Sequence, residues 1–119
     1  MADELTITAS LALVKNNISA TKSVSAITVD VAGTGYQKGV QNIGTSEEAI
    51  AVGGVGTNGY IMITNLDATN YVKVRPATGV ADLIRIAPGD VCLFRCEAAA
   101  PFAIADTAAC DIEVMLVES

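Results

Sequence analysis

Apolar and polar residues alternate from Leu5 to Leu13, with Leu5, Ile7, Ala9, Leu11 and Leu13 set against Thr6, Thr8, Ser10 and Ala12. A period of two over nine residues predicts a half-buried β-strand. Lys15-Asn16-Asn17 predicts a turn after it. A second alternation sets Ile27, Val29 and Val31 against Thr28 and Asp30, with Val24 and Ala26 out of phase. That slip predicts a bulge near Ala26. Gly33-Thr34-Gly35 opens a loop expected to run to about Gly44, with at most a short extended piece around Val40 and Ile43. Glu47–Val52 reads as a third strand.

The stretch from Gly59 to Cys96 carries four short runs rich in β-branched and aromatic residues: Tyr60–Thr64, Tyr71–Arg75, Leu83–Ile86 and Val91–Phe94. Each is closed by turn formers, as strands require. Asn65–Asn70 is rich in side chains that bond their own backbone, and it is expected to fold Ile63 back toward Tyr71 as a hairpin. In Ala87-Pro88-Gly89-Asp90, proline presets φ at the first central turn position. Glycine takes the positive φ that a type II turn needs at the second. Together these predict an antiparallel meander. Beyond it, Pro101 interrupts the alanines Ala98-Ala99-Ala100, and Ile112, Val114 and Leu116 return to period two. One helical turn around Asp106–Ala109 is the most helix the pattern allows. Nine or ten short strands with frequent turns predict an all-β fold, an antiparallel β-sandwich of jelly-roll or Greek-key type, with residues 1–119 as a single domain.

Composition sharpens this. Hydrophobic residues make up 51% of the 119 and charged residues only 17%, so a small acidic domain carries more apolar surface than it readily hides. Such a chain suits a subunit of an assembly. The net charge of −6 argues against nucleic acid as a partner, because no basic stripe exists to displace counterions. Lys73, Arg75, Arg85 and Arg95 are four of the seven basic residues, and all fall between Gly59 and Cys96. Glu97, Asp106, Asp111, Glu113 and Glu118 follow without a base among them. This segregation would allow head-to-tail pairing of copies. The first residues hold acids and no apolar core of a signal peptide, and no apolar run reaches the length of a membrane span. Assembly in a reducing cytoplasm, with no membrane partner, is therefore expected.

Candidate chemistry is sparse. There is no histidine, which removes histidine general-base catalysis, and no serine sits in a nucleophile elbow. Cys92, Cys96 and Cys110 are odd in number, and Cys92 and Cys96 on one strand would stand about 13 Å apart, too far for a disulfide. Free structural thiols are expected. Asp111 and Glu113 have the parity to share a strand face, a weak signal for a divalent cation that a solvated edge explains as well. Gly54–Gly59 spells G-x-G-x-x-G, but a strand follows it where a phosphate cradle needs a helix; Asn58-Gly59 reads instead as a hairpin turn. No enzyme activity and no cofactor are expected.

The segments GYIMITNLDATNYVKV, LIRIAPGDVCLFRC and FAIADTAACDIEVMLVE, spanning Gly59 to Glu118, resemble a family of small tailed-bacteriophage virion proteins. The resemblance covers about half the chain. It implies a β-sandwich subunit of a phage particle, a capsid cement or decoration protein bound to the outside of the major capsid protein, with a tail or host-receptor-binding role as the alternative. A homotrimer at a local three-fold axis is the natural form of such a protein. Leu5, Ile7, Leu11 and Leu13, with Lys73, Arg75, Arg85 and Arg95, are the expected contacts between subunits.

Overall fold

A computed structural model describes residues 4–97 and 101–118, and the chain divides into two compact units, Met1–Ala32 and Gly33–Ser119. The alanines ahead of Pro101 lie outside the described residues. Among the described residues there is no helix, and bends replace the helical turn allowed at Asp106–Ala109.

The first unit is a two-stranded antiparallel ribbon, β1 (Leu5–Lys15) and β2 (Ile18–Val29), turned by Asn16-Asn17. Asn16 takes φ 52°, a left-handed conformation that asparagine tolerates. The expected bulge is present. Between the pairs Ile7↔Ile27 and Ala9↔Val24, β2 holds one residue more than β1, and Ala26 takes φ 55°. Its N–H donates to Thr8 Oγ1 at 3.2 Å. The extra residue puts Val24 on the same face as Ile27 and Val29. The expected half-burial holds for Leu5 and Ile7 but fails for Leu11 and Leu13, which are exposed. A two-stranded ribbon is one layer thick and has no second layer of its own to cover them.

The second unit is a β-sandwich. Its strands are β3 (Tyr36–Ile43), β4 (Glu48–Ala49), β5 (Asn58–Asn65), β6 (Val72–Arg75), β7 (Ile84–Ile86), β8 (Val91–Arg95), β9 (Phe102–Ala105) and β10 (Cys110–Glu118). One sheet has the order β3-β10-β5-β8 and the other β4-β9-β6-β7, all antiparallel. The pairs are nested: β3 with β10, β4 with β9, β5 with β8 and β6 with β7. One long hairpin has been folded over so that alternate pairs fall in opposite sheets, which is a jelly roll.

That nesting corrects the expected meander. Asn65–Asn70 does not return β5 to β6 in one sheet, because the two strands belong to different sheets. The loop is a crossover, and Ala87–Asp90 is another beside it. The Asn65 N–H donates to the Asp90 carbonyl at 2.9 Å, and the Gly89 N–H donates to the Asn65 carbonyl at 3.1 Å. The local turn chemistry is as expected. Gly89 has φ 76°, and the Asp90 N–H donates to the Ala87 carbonyl at 2.9 Å.

Three further expectations need correcting. The loop expected to reach Gly44 is largely the eight-residue strand β3, whose inward positions Gln37 and Gln41 are polar and so hide its period. Glu47–Val52 shrinks to the two residues of β4. Asn58-Gly59 starts β5 instead of turning, because Gly59 is buried and its carbonyl accepts the Cys96 N–H at 2.8 Å.

The core lies between the sheets, built from Ile43, Ile61, Ile63, Ile112, Val114 and Leu116 on one side and Val72, Val74, Ile86, Ala103 and Ala105 on the other. Small alanines on β9 let the sheets approach without large aromatics. Asn65 is the one buried polar side chain among the described residues. Its amide donates to the Asn70 and Ile86 carbonyls at 2.9 and 3.1 Å, and its Oδ1 accepts the Asp67 N–H at 2.9 Å. One side chain thus ties a crossover to the end of β7.

Candidate interaction surfaces

On the ribbon, cross-strand partners share a face. Six rows follow one another from the open end to the turn: Leu5/Val29, Ile7/Ile27, Ala9/Val24, Leu11/Lys22, Leu13/Ala20 and Lys15/Ile18. The four leucines and isoleucines expected at a contact therefore stand together. Sequence reasoning missed their partners on β2; the signal was its alternation, once the bulge is allowed for. Leu11 is 78% exposed, Leu13 50%, Ile18 57% and Ile27 47%. The opposite face is Thr6/Thr28, Ser10/Ser23, Ala12/Thr21 and Val14/Ser19, with the Ser10 and Ser23 hydroxyls 3.2 Å apart. The ribbon is amphipathic, with Lys22 and Lys15 interrupting the apolar face toward the turn and Val14 standing on the polar one.

The sandwich presents a second set of exposed apolar side chains, interspersed with polar ones, on the outside of its β3-β10-β5-β8 sheet. Lys38, Met115, Met62 and Leu93 form one row across four strands, and Val40, Glu113, Thr64 and Val91 the next. Val40, Met62, Val91 and Met115 are exposed.

The basic residues do not form one patch. Lys73 and Arg85 are cross-strand partners on the other sheet. They lie over the Tyr71 ring, with the Arg85 guanidinium 4.0 Å from its centroid and the Lys73 ammonium 5.4 Å away. Arg95 belongs to the first sheet and lies 5.5 Å from the Tyr60 centroid. Arg75 is engaged inside the unit. It meets Glu47 at 2.8 Å and Asp82 at 2.7 Å, and Glu47 also accepts from the Thr78 hydroxyl and the Gly79 N–H. These bonds hold Glu47 below the usual carboxylate range, chiefly the one from Thr78. Hydrogen bonding to Asp82 raises Arg75. The cluster pins the segment between β6 and β7.

The glycine-rich loops do cradle an anion, and it is the chain's own. The Glu118 carboxylate accepts from the N–H groups of Gly56 at 2.5 Å, Thr34 at 3.0 Å and Gly35 at 3.2 Å. Those bonds, led by Gly56, hold its carboxyl below the usual range. A Cβ on Gly33 would stand 2.0 Å from Glu118 Oε1, so glycine is what lets the backbone close around the carboxylate. No local sequence pattern marks this clamp.

Among the described residues no group of three or more His, Cys, Asp or Glu side chains is placed to hold a metal ion. Asp111 accepts from the Asn42 amide at 2.9 Å. None of the three cysteines forms a disulfide, and burial pushes the Cys92 thiol up to about 11, which leaves it unreactive at neutral pH. An apolar cleft of about 210 Å³ is lined by Val74, Leu83, Ile84, Phe94, Cys96 and Pro101, among others. It is below the size of ordinary small-molecule sites. Comparison with family models, curated proteins and solved structures finds no match.

Proposed function

We propose that the chain is a structural virion protein of a bacteriophage, a cement or decoration protein that binds the outside of the major capsid protein and stabilises the shell. The observation that carries this reading is the exposure of apolar side chains on one sheet face of each unit. A protein with two such faces can hold more than one neighbour at a time, and linked contacts gain avidity that no single contact has. The resemblance of Gly59–Glu118 to small phage virion proteins supports it.

The test is made on particles. Band quantitation should give hundreds of copies per particle, and particles lacking the protein should release DNA at a lower temperature than complete ones. A few or tens of copies, with heat stability unchanged on removal, would replace the cement reading with a tail or receptor-binding one.

A further inference from the structure

We infer that the ribbons of two copies of this chain pair face to face, in antiparallel orientation, about a two-fold axis that crosses β1. The occupant of the ribbon's apolar face is the same face of a second copy.

The order of the rows argues for this arrangement. Ala9/Val24 is the smallest of the inner rows, and it lies directly beside the largest, Leu11/Lys22. A two-fold axis between these two rows sets β1 over β1 and small against large. Ala9 then meets Leu11 of the second copy, Val24 meets its Lys22, and Ile7 meets its Leu13. A parallel pairing sets Ala9/Val24 against itself, which leaves a gap, and brings both Leu11/Lys22 rows to one level. Cores fill best when large and small positions interleave.

Charge points the same way. Lys15 and Lys22 both lie in the turn half of the ribbon, while Glu4 and Asp30 flank the open end. Antiparallel pairing keeps the two Lys15 side chains at opposite ends and brings each to the end that carries the other copy's acids. Parallel pairing gathers all four lysines at one end. The bulge belongs to the same argument. Ala26 takes a positive φ that alanine disfavours, and what the distortion achieves is to set Val24 on the same face as Ile27 and Val29.

Area sets the strength. Twelve side chains line the face, and at about 50 Å² covered on each, roughly 600 Å² per copy is buried, the low end of specific interfaces. The expected affinity is therefore micromolar.

The test uses the full chain in solution at about 100 µM. Light scattering should give a mass near twice 12.2 kDa, falling to one copy on dilution below the micromolar range. Leu11→Lys should give a monomer at every concentration. Val14→Lys adds the same charge to the opposite face and should leave the pair intact. Spin labels attached through Asn17→Cys should lie roughly 40 Å apart in the pair, against about 10–15 Å for a parallel one. A monomeric or trimeric parent chain, loss of the pair in Val14→Lys but not in Leu11→Lys, or the short label distance would each overturn the inference. Particle heat stability is a separate readout, so pairing and the cement role can fail independently.

Discussion

The two units use β-structure in opposite ways. The ribbon has the longest strands among the described residues, eleven and twelve residues, and no second layer of its own. The sandwich includes strands of two and three residues, β4 and β7, yet both belong to sheets closed over a core of fully buried isoleucines. Strand length measures how well the local pattern alternates. Stability depends on whether a second layer covers it.

The contrast is broken most directly by truncating one isoleucine in each unit. Ile63→Ala, in the centre of the sandwich, should cost about 2–5 kcal/mol in urea unfolding, whereas Ile27→Ala on the ribbon should change the same transition by less than about 0.5 kcal/mol. Equal losses would mean that the ribbon belongs to the same cooperative unit.

Asn65→Ala sharpens the comparison on the polar side. It strands the Asp67 N–H and two carbonyls at the partly buried root of a crossover and should cost about 1–3 kcal/mol. Ser10→Ala, which removes an exposed hydroxyl pair, should be silent in the same measurement. A silent Asn65→Ala would show that water reaches the crossover.

Gly89→Val should lower the melting temperature by strain alone, about 1–3 kcal/mol, because nothing lies within 4 Å of the added Cβ. A wild-type melting temperature would refute the turn assignment.

The smallest effect is read in acid. Glu118 is held below its ordinary value of 4.5, so its contribution is fully present above that pH and fades as pH falls through the lower folded value. Glu118→Gln should therefore melt below the parent at pH 6–7, with the gap closing as the pH falls well below 4. A gap that stays constant down to pH 2 would show that charge is not what the clamp uses.

These variants also mark what the sequence made legible. The Ala87–Asp90 turn, the Asn16-Asn17 turn and the Ala26 bulge depend on a few neighbouring residues, and each was readable from them. The all-β class followed from alternation. Partner choice was not readable: β5 and β6 look like consecutive hairpin strands, but the Asx-type bonds of Asn65–Asn70 are compatible with a return or a crossover, and only the distant β8 and β10 decide between them. β3 was hidden by Gln37 and Gln41. Of the candidate contacts, the ribbon leucines were legible as one face. The grouping of Lys73, Arg75, Arg85 and Arg95 was not, because proximity in sequence says nothing about which sheet a strand joins.

The Glu118 clamp has a mechanical side. Among the described residues β3 is an edge strand whose one ladder partner is β10, and the chain runs from the ribbon into it through Gly33–Gly35. Tension on the ribbon, from whatever holds it, reaches the sandwich at that point. The first bonds to carry it are those from the Thr34 and Gly35 N–H groups to the Glu118 carboxylate at the far end of the chain. A charged bolt thus stands ahead of the β3–β10 ladder, which would otherwise open from its end one pair at a time.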